Sequence, residues 1–171
     1  RETAPIAVQA SLPGHLVFST LHTNDAPAAV TRLIDMGVEP YLVASSLEAV
    51  LAQRLVRVLC KHCKQPDTSP TTAAIKAQIG IPASETVYRA VGCRECRNTG
   101  YHGRHAIFEW MDIDNELRQL VLKNVSSGEI AAQAKRNGLR VLSEDGWRLV
   151  RAGVTTPEEV LRVTKDQTVS N

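Results

Sequence analysis

Residues 13–25 read Pro13-Gly14-His15-Leu16-Val17-Phe18-Ser19-Thr20-Leu21-His22-Thr23-Asn24-Asp25, and this stretch decides the fold class. A proline-glycine break is followed by a short apolar run, and that run ends in a polar cluster. An uninterrupted apolar run bounded by turn residues suits a strand buried on both faces of a parallel sheet. The polar cluster then opens a helix. Asn24 or Asp25 can cap it, Pro27 fits its first turn, and Val30, Leu33 and Ile34 supply its apolar face up to Gly37. Strand, polar turn and helix in that order predict an α/β fold. Ligands of open α/β sheets bind at the carboxyl ends of strands, so His22, Thr23 and Asn24 are site candidates. A capping turn that happens to contain a histidine explains the same residues equally well.

Upstream, Arg1-Glu2-Thr3-Ala4 runs directly into a helical pattern (Ile6, Ala7, Ala10) with no start methionine. The chain is expected to be a piece of something longer. Downstream, Leu42, Val43, Leu47, Val50 and Leu51 predict a helix over 41–53, and Arg54 to Leu59 reads as a strand.

That strand delivers the chain to Cys60-Lys61-His62-Cys63, which is matched after 29 residues by Cys93-Arg94-Glu95-Cys96. These are the only four cysteines. Two C-x-x-C turns can converge four thiolates into the tetrahedral set that Zn²⁺ favours, making Cys60, Cys63, Cys93 and Cys96 the expected ligands. Two disulfides or four free core thiols are the competing readings. His62 is expected to face solvent or to support a ligand, rather than to bind the metal itself. Between the knuckles, 66–70 reads as loop, 72–79 as a short helix and 87–91 as a short strand. Zinc would be the core of so small an insert, since structural zinc contributes an apparent ~10–16 kcal/mol of folding free energy in small domains.

Beyond Cys96, Gly100-Tyr101-His102-Gly103-Arg104 predicts a glycine-bracketed turn, and 105–111 a strand. Four helices should follow: one around Leu117 to Val121, one opened by Ser126 and Glu129, one from Ser143 to about Gly153, and one started by Thr156-Pro157-Glu158-Glu159. Residues after Asp166 are expected to fray. Net charge of +2 and 4% aromatic content argue against a dedicated polyanion binder or a base-stacking surface. No apolar run reaches the roughly 18–20 residues of a membrane span. Reduced cysteines and the lack of an export signal predict a cytoplasmic setting.

The string A-S-L-P-G-H-L-V-F-S-T-L-H-T-N-D-A resembles the His box of secretion ATPases of the GspE/PulE/PilB type, which power type II secretion and type IV pilus assembly. The likeness runs from R-E-T-A through A-Q-R-L-V-R-V-L-C-K-H-C, the second C-x-x-C and G-Y-H-G-R-H-A-I-F-E to T-P-E-E-V-L-R-V-T, over roughly residues 1–166. It implies part of a RecA-like P-loop ATPase core with an inserted tetracysteine zinc subdomain and a helical C-terminal subdomain. In that division 1–59 and 98–111 belong to the core, 60–97 to the insert and 112–171 to the helical subdomain. His15 and His22 would be the two His-box histidines, with His22 near the γ-phosphate. Arg104 would approach the nucleotide phosphates, and Asn24 would join it in binding nucleotide. Retraction ATPases of the superfamily generally lack the insert, so its presence favours a secretion or assembly motor. Pro13, Lys61 and Ala106 stand where the family commonly has threonine, proline and glycine.

For the whole protein the resemblance implies a homo-hexamer using ATP and Mg²⁺. It would be held at the inner membrane through platform components of the apparatus, with no nucleic acid partner. The phosphate-cradling G-x-x-x-x-G-K-[ST] is missing: none of the six lysines follows a glycine or precedes serine or threonine. This chain alone is therefore not expected to hydrolyse ATP. The rival reading is a zinc-ribbon nucleic-acid or protein-binding module, with Arg54, Arg57, Lys61, Lys64, Arg89, Arg94 and Arg97 as its basic surface.

Overall fold

The computed structural model describes residues 3–164, and they form two compact units. Of the described residues, the first takes 3–52 and 109–140 and the second 53–108 and 141–164. In chain order the elements are helices α1 (Thr3–Ser11), α2 (Ala26–Asp35) and α3 (Pro40–Ser46), then strands β1 (Ala49–Leu59) and β2 (Gln65–Pro66). Helix α4 (Pro70–Gln78), strand β3 (Tyr88–Arg89), a 3₁₀ turn (Arg94–Cys96) and strand β4 (Tyr101–Asp112) follow. Helices α5 (Asn115–Leu122), α6 (Ser127–Arg136), α7 (Leu142–Arg151) and α8 (Pro157–Thr164) complete the set. β1 pairs with β4, and β2 pairs antiparallel with β3 through Gln65↔Arg89 and Pro66↔Tyr88. No helix among the described residues is long and apolar enough to cross a membrane.

In the first unit, helices pack around Ala26, Val30, Val43, Met111, Leu117 and Ile130. Local chemistry sets where they start. Asp25 caps α2 by accepting the Ala28 N–H at 2.8 Å, and Asp114 caps α5 by accepting that of Leu117 at 2.9 Å. Ser126 and Glu129 form the reciprocal box that opens α6. In β4, Ile107, Glu109 and Met111 are buried while Phe108, Trp110 and Asp112 are exposed, the period-two pattern of a strand with one wet face.

The second unit is built around Glu159, whose side chain is wholly inaccessible. Its carboxylate accepts the Arg57 backbone N–H at 3.0 Å, the Arg57 guanidinium at 2.7 Å, and the Arg162 guanidinium at 2.7 and 2.9 Å. The Arg57 guanidinium lies 4.1 Å from the Tyr101 ring centroid, and the Tyr101 hydroxyl contacts Thr156 Oγ1 at 3.1 Å. The same unit joins the cysteine-bearing region to α7 and α8. Lys64 donates to the Gly153 carbonyl at 2.8 Å, and Arg151 pairs with Glu85 at 3.5 Å.

Three sequence expectations need correction. Residues 15–23 take no regular secondary structure and join no strand pair among the described residues, and Leu16 and Phe18 are 80% and 87% exposed. An apolar run becomes a sheet strand only when a neighbour takes its N–H and C=O groups, and none of the described residues does. The helix expected over 41–53 ends at Ser46, because pairing with β4 draws the chain into β1 from Ala49. The glycine-bracketed turn at 100–104 lies largely inside β4, with Gly103 absorbing a positive φ of 83° there. The fraying expected after Asp166 falls outside the described residues.

Candidate functional site

The four cysteines come from two separate knuckles whose backbones are shaped for convergence. Cys60 leaves the end of β1, and its N–H bonds the Gly100 carbonyl at 2.9 Å. Cys63 and Lys64 turn back on the Cys60 carbonyl at 3.3 and 3.0 Å. In the second knuckle the 3₁₀ turn carries Cys96 back to Cys93. The chain leaves through Arg97 and Asn98 in left-handed conformation, at φ of 52° and 60°. The result is a cluster in which all four Sγ atoms lie within 4.8 Å of one another. Cys60–Cys93, Cys63–Cys96 and Cys93–Cys96 are separated by 3.9, 3.8 and 3.8 Å.

These separations test the competing readings. A disulfide requires about 2.05 Å between sulfurs, and all four cysteines are free. A tetrahedron with metal–sulfur bonds of about 2.3 Å has edges of about 3.8 Å, the spacing found. Backbone amides also point at the sulfurs: Gly92 N–H to Cys63 at 3.3 Å, and Cys93 and Gly100 N–H to Cys96 at 3.2 Å each. Such donors stabilise thiolate over thiol. Glycine is needed at two of these points. A Cβ on Gly92 would sit 2.8 Å from the Asn98 carbonyl oxygen, and one on Gly100 would sit 2.6 Å from the Ala90 Cβ.

The charge balance inside the cluster follows. Burial pushes the Cys96 thiol up, but the Cys93 and Gly100 amides and the neighbouring Cys93 and Cys63 sulfurs hold it down to about 6. Cys63 is pushed up to about 11, by burial first, against the Gly92 amide and with the three other sulfurs adding. Four sulfurs at tetrahedral spacing, with backbone amides aimed at two of them, make a donor set that fits a divalent metal. His62 is exposed and outside the cluster.

The remaining candidates are not gathered in this way. His15, His22 and Asn24 are exposed on the irregular segment that precedes α2 in the first unit. His22 does not cap α2; Asp25 does. Arg104 is exposed on the part of β4 belonging to the second unit, and it makes no ion pair among the described residues. Glu109, also on β4, is 1% exposed and accepts the Ala26 N–H at 2.7 Å. Strand alternation could have found it: Glu109 falls in phase with Ile107 and Met111.

Residues 1–162 match the family described as Type II/IV secretion system protein. The chain belongs to that family. It is 50% identical over 167 residues to the type II secretion system protein E of Pseudomonas aeruginosa, covering 98% of this chain and 33% of the relative. It is 47% identical over 165 residues to the type IV pilus assembly ATPase TfpB of Acinetobacter baylyi, covering 95% and 28%. The fold is similar to that of the pilus retraction motor PilT with bound ADP, at a TM-score of 0.62 and 18% identity over 98% of this chain and 37% of that one. It is also similar to the Legionella pneumophila ATPase DotB, at 0.59 and 17% over 96% and 36%. The chain thus carries part of the α/β fold of the secretion ATPases, and it spans about a third of the length of the curated relatives it matches.

Proposed function

We propose that this chain is the C-terminal part of a hexameric ATPase that energises type II secretion or type IV pilus assembly. The observation that carries the reading is near-50% identity, across almost the whole chain, to proteins named for those two systems. In this reading ATP and Mg²⁺ are bound in the whole protein. The phosphate cradle lies outside this chain, which alone does not turn over ATP. Inner-membrane platform components would hold the assembly in place from the cytoplasmic side. The metal is zinc, one per chain, held by Cys60, Cys63, Cys93 and Cys96 in a structural role, with residues 60–97 as the insert it organises. The closed four-sulfur set leaves no open position for substrate, which supports structure over catalysis.

His22 and Arg104 are each assigned a role toward nucleotide, as are His15 and Asn24. An imidazole can orient the attacking water or the γ-phosphate, and a guanidinium can offset charge that develops on the phosphates. Losing one electrostatic donor of this kind typically costs roughly 10²–10³ in rate. In the full-length ATPase, His22→Ala and Arg104→Ala should each cut turnover by at least roughly tenfold with melting temperature and zinc content unchanged. Wild-type turnover in both variants would end the assignment. Elemental analysis tests the metal separately: about one zinc per chain is expected, and metal-free protein with an ordered 60–96 region would refute it.

A further inference from the structure

Helix α2 begins immediately after the His22–Asn24 turn, and two carboxylates hold its start. Asp25 performs the local task, accepting the Ala28 N–H. Glu109, 83 residues away on β4, accepts the N–H of Ala26, the first residue of the helix, at 2.7 Å. Both Ala26 and Glu109 are buried, at 0% and 1% exposure, and both belong to the first unit. A helix needs one good cap to begin, and Asp25 supplies it. A carboxylate is costly to place in an apolar core and is retained where it holds something. What Glu109 holds is the position of the helix start relative to β4. The chain between Ala26 and His22 is short and internally tied, with Thr23 Oγ1 donating to the Asp25 carbonyl at 3.2 Å. A shift of Ala26 is therefore passed to His22.

We propose that Glu109 is a positioning residue for the His22–Asn24 turn, acting through the Ala26 amide. This rests on the assignment of His22 to the nucleotide site. Misplacing a reacting group by about 1 Å can cost on the order of 10² in rate, so the anchor matters even though Glu109 touches no nucleotide. Glu109→Gln keeps a carbonyl oxygen within reach of the Ala26 N–H, whereas Glu109→Ala removes the acceptor.

The test uses the full-length ATPase, with turnover counted per folded molecule. Glu109→Ala should lower kcat by roughly tenfold or more, and Glu109→Gln should recover most of it. The Ala26 amide should exchange faster with solvent in the alanine variant and not in the glutamine variant. Val30→Ala removes buried side chain from α2 without touching the anchor; it should cost stability and leave kcat per folded molecule near wild type. Adding Glu109→Ala to His22→Ala should lower kcat little further, because both act through the same imidazole. Wild-type kcat for Glu109→Ala beside a depressed His22→Ala overturns the proposal, as do losses that multiply in the double variant. Wild-type kcat for His22→Ala alone instead refutes the underlying site assignment.

Discussion

Replacing Glu159 by glutamine removes one charge from the centre of the second unit while keeping its shape. Burial alone would push this carboxyl up. The Arg162 and Arg57 guanidinium bonds, with the Arg57 backbone N–H, hold it down from 4.5 to about 2. That gap corresponds to about 3 kcal/mol of preference for the charged form in the folded state. The two arginines are half-exposed, at 46% and 57%, so solvent screens part of it. A loss of about 2 kcal/mol is expected for Glu159→Gln at neutral pH. The sign fixes the pH dependence. Because the folded pKa is depressed, the stabilisation is complete above about 4.5 and is lost as pH falls toward about 2. Wild type should therefore weaken across that window, while the glutamine variant, already weaker, should lack this component. Denaturant titrations followed by Trp147 fluorescence measure it. Trp147 sits in α7 of the same unit, and Trp110→Phe at an exposed position removes the only other tryptophan. A difference below about 0.5 kcal/mol at pH 7, or parallel pH profiles, would refute the reasoning.

Gly146→Ala should destabilise the second unit by about 1–2 kcal/mol despite alanine's better helix propensity, because the new Cβ would lie 2.5 Å from Val160 Cγ1. The same fluorescence titration checks this, and adding Val160→Ala should recover part of the loss of Gly146→Ala; a net gain in stability from Gly146→Ala would contradict the close packing of α7 on α8. Gly100→Ala should disturb the amide that bonds Cys96 and weaken metal retention by roughly 10–100-fold, read as the rate of zinc transfer to a chromophoric chelator. A wild-type transfer rate would mean that the Cys96 amide contact does not matter.

Where local chemistry decides structure, the sequence was legible. Ser126 with Glu129, and Thr156 with Pro157, announce α6 and α8 in a few adjacent residues, and those helices form where expected. Paired C-x-x-C spacing likewise predicts the sulfur cluster, since each turn positions its own two ligands. Long-range pairing was less legible. Ala49 to Gln53 carries apolar residues compatible with either helix or strand, and only the partner β4, about fifty residues later, decides for strand. Leu16 to Phe18 shows the converse: a strand-like composition with no partner among the described residues to realise it. The role of Glu109 is hidden for the same reason, because it depends on an amide 83 residues away rather than on its neighbours.

The hydrogen bond from Cys60 to Gly100 bears on how such a chain can change over time. Residues 60 and 100 meet at 2.9 Å just past the ends of β1 and β4, so everything between them departs and returns through one narrow gate. To the strands, this region is equivalent to a hairpin turn of arbitrary length. Each doubling of a loop costs only about 0.6 kcal/mol in closure entropy, and the proposed metal, tying Cys60 and Cys63 to Cys93 and Cys96, would shorten the effective loop to almost nothing. A change in the length of this region would therefore leave the β1–β4 pairing in place. Its internal sequence answers to the four sulfurs and to the contacts of Lys64 and Glu85 with α7 and the turn that follows it.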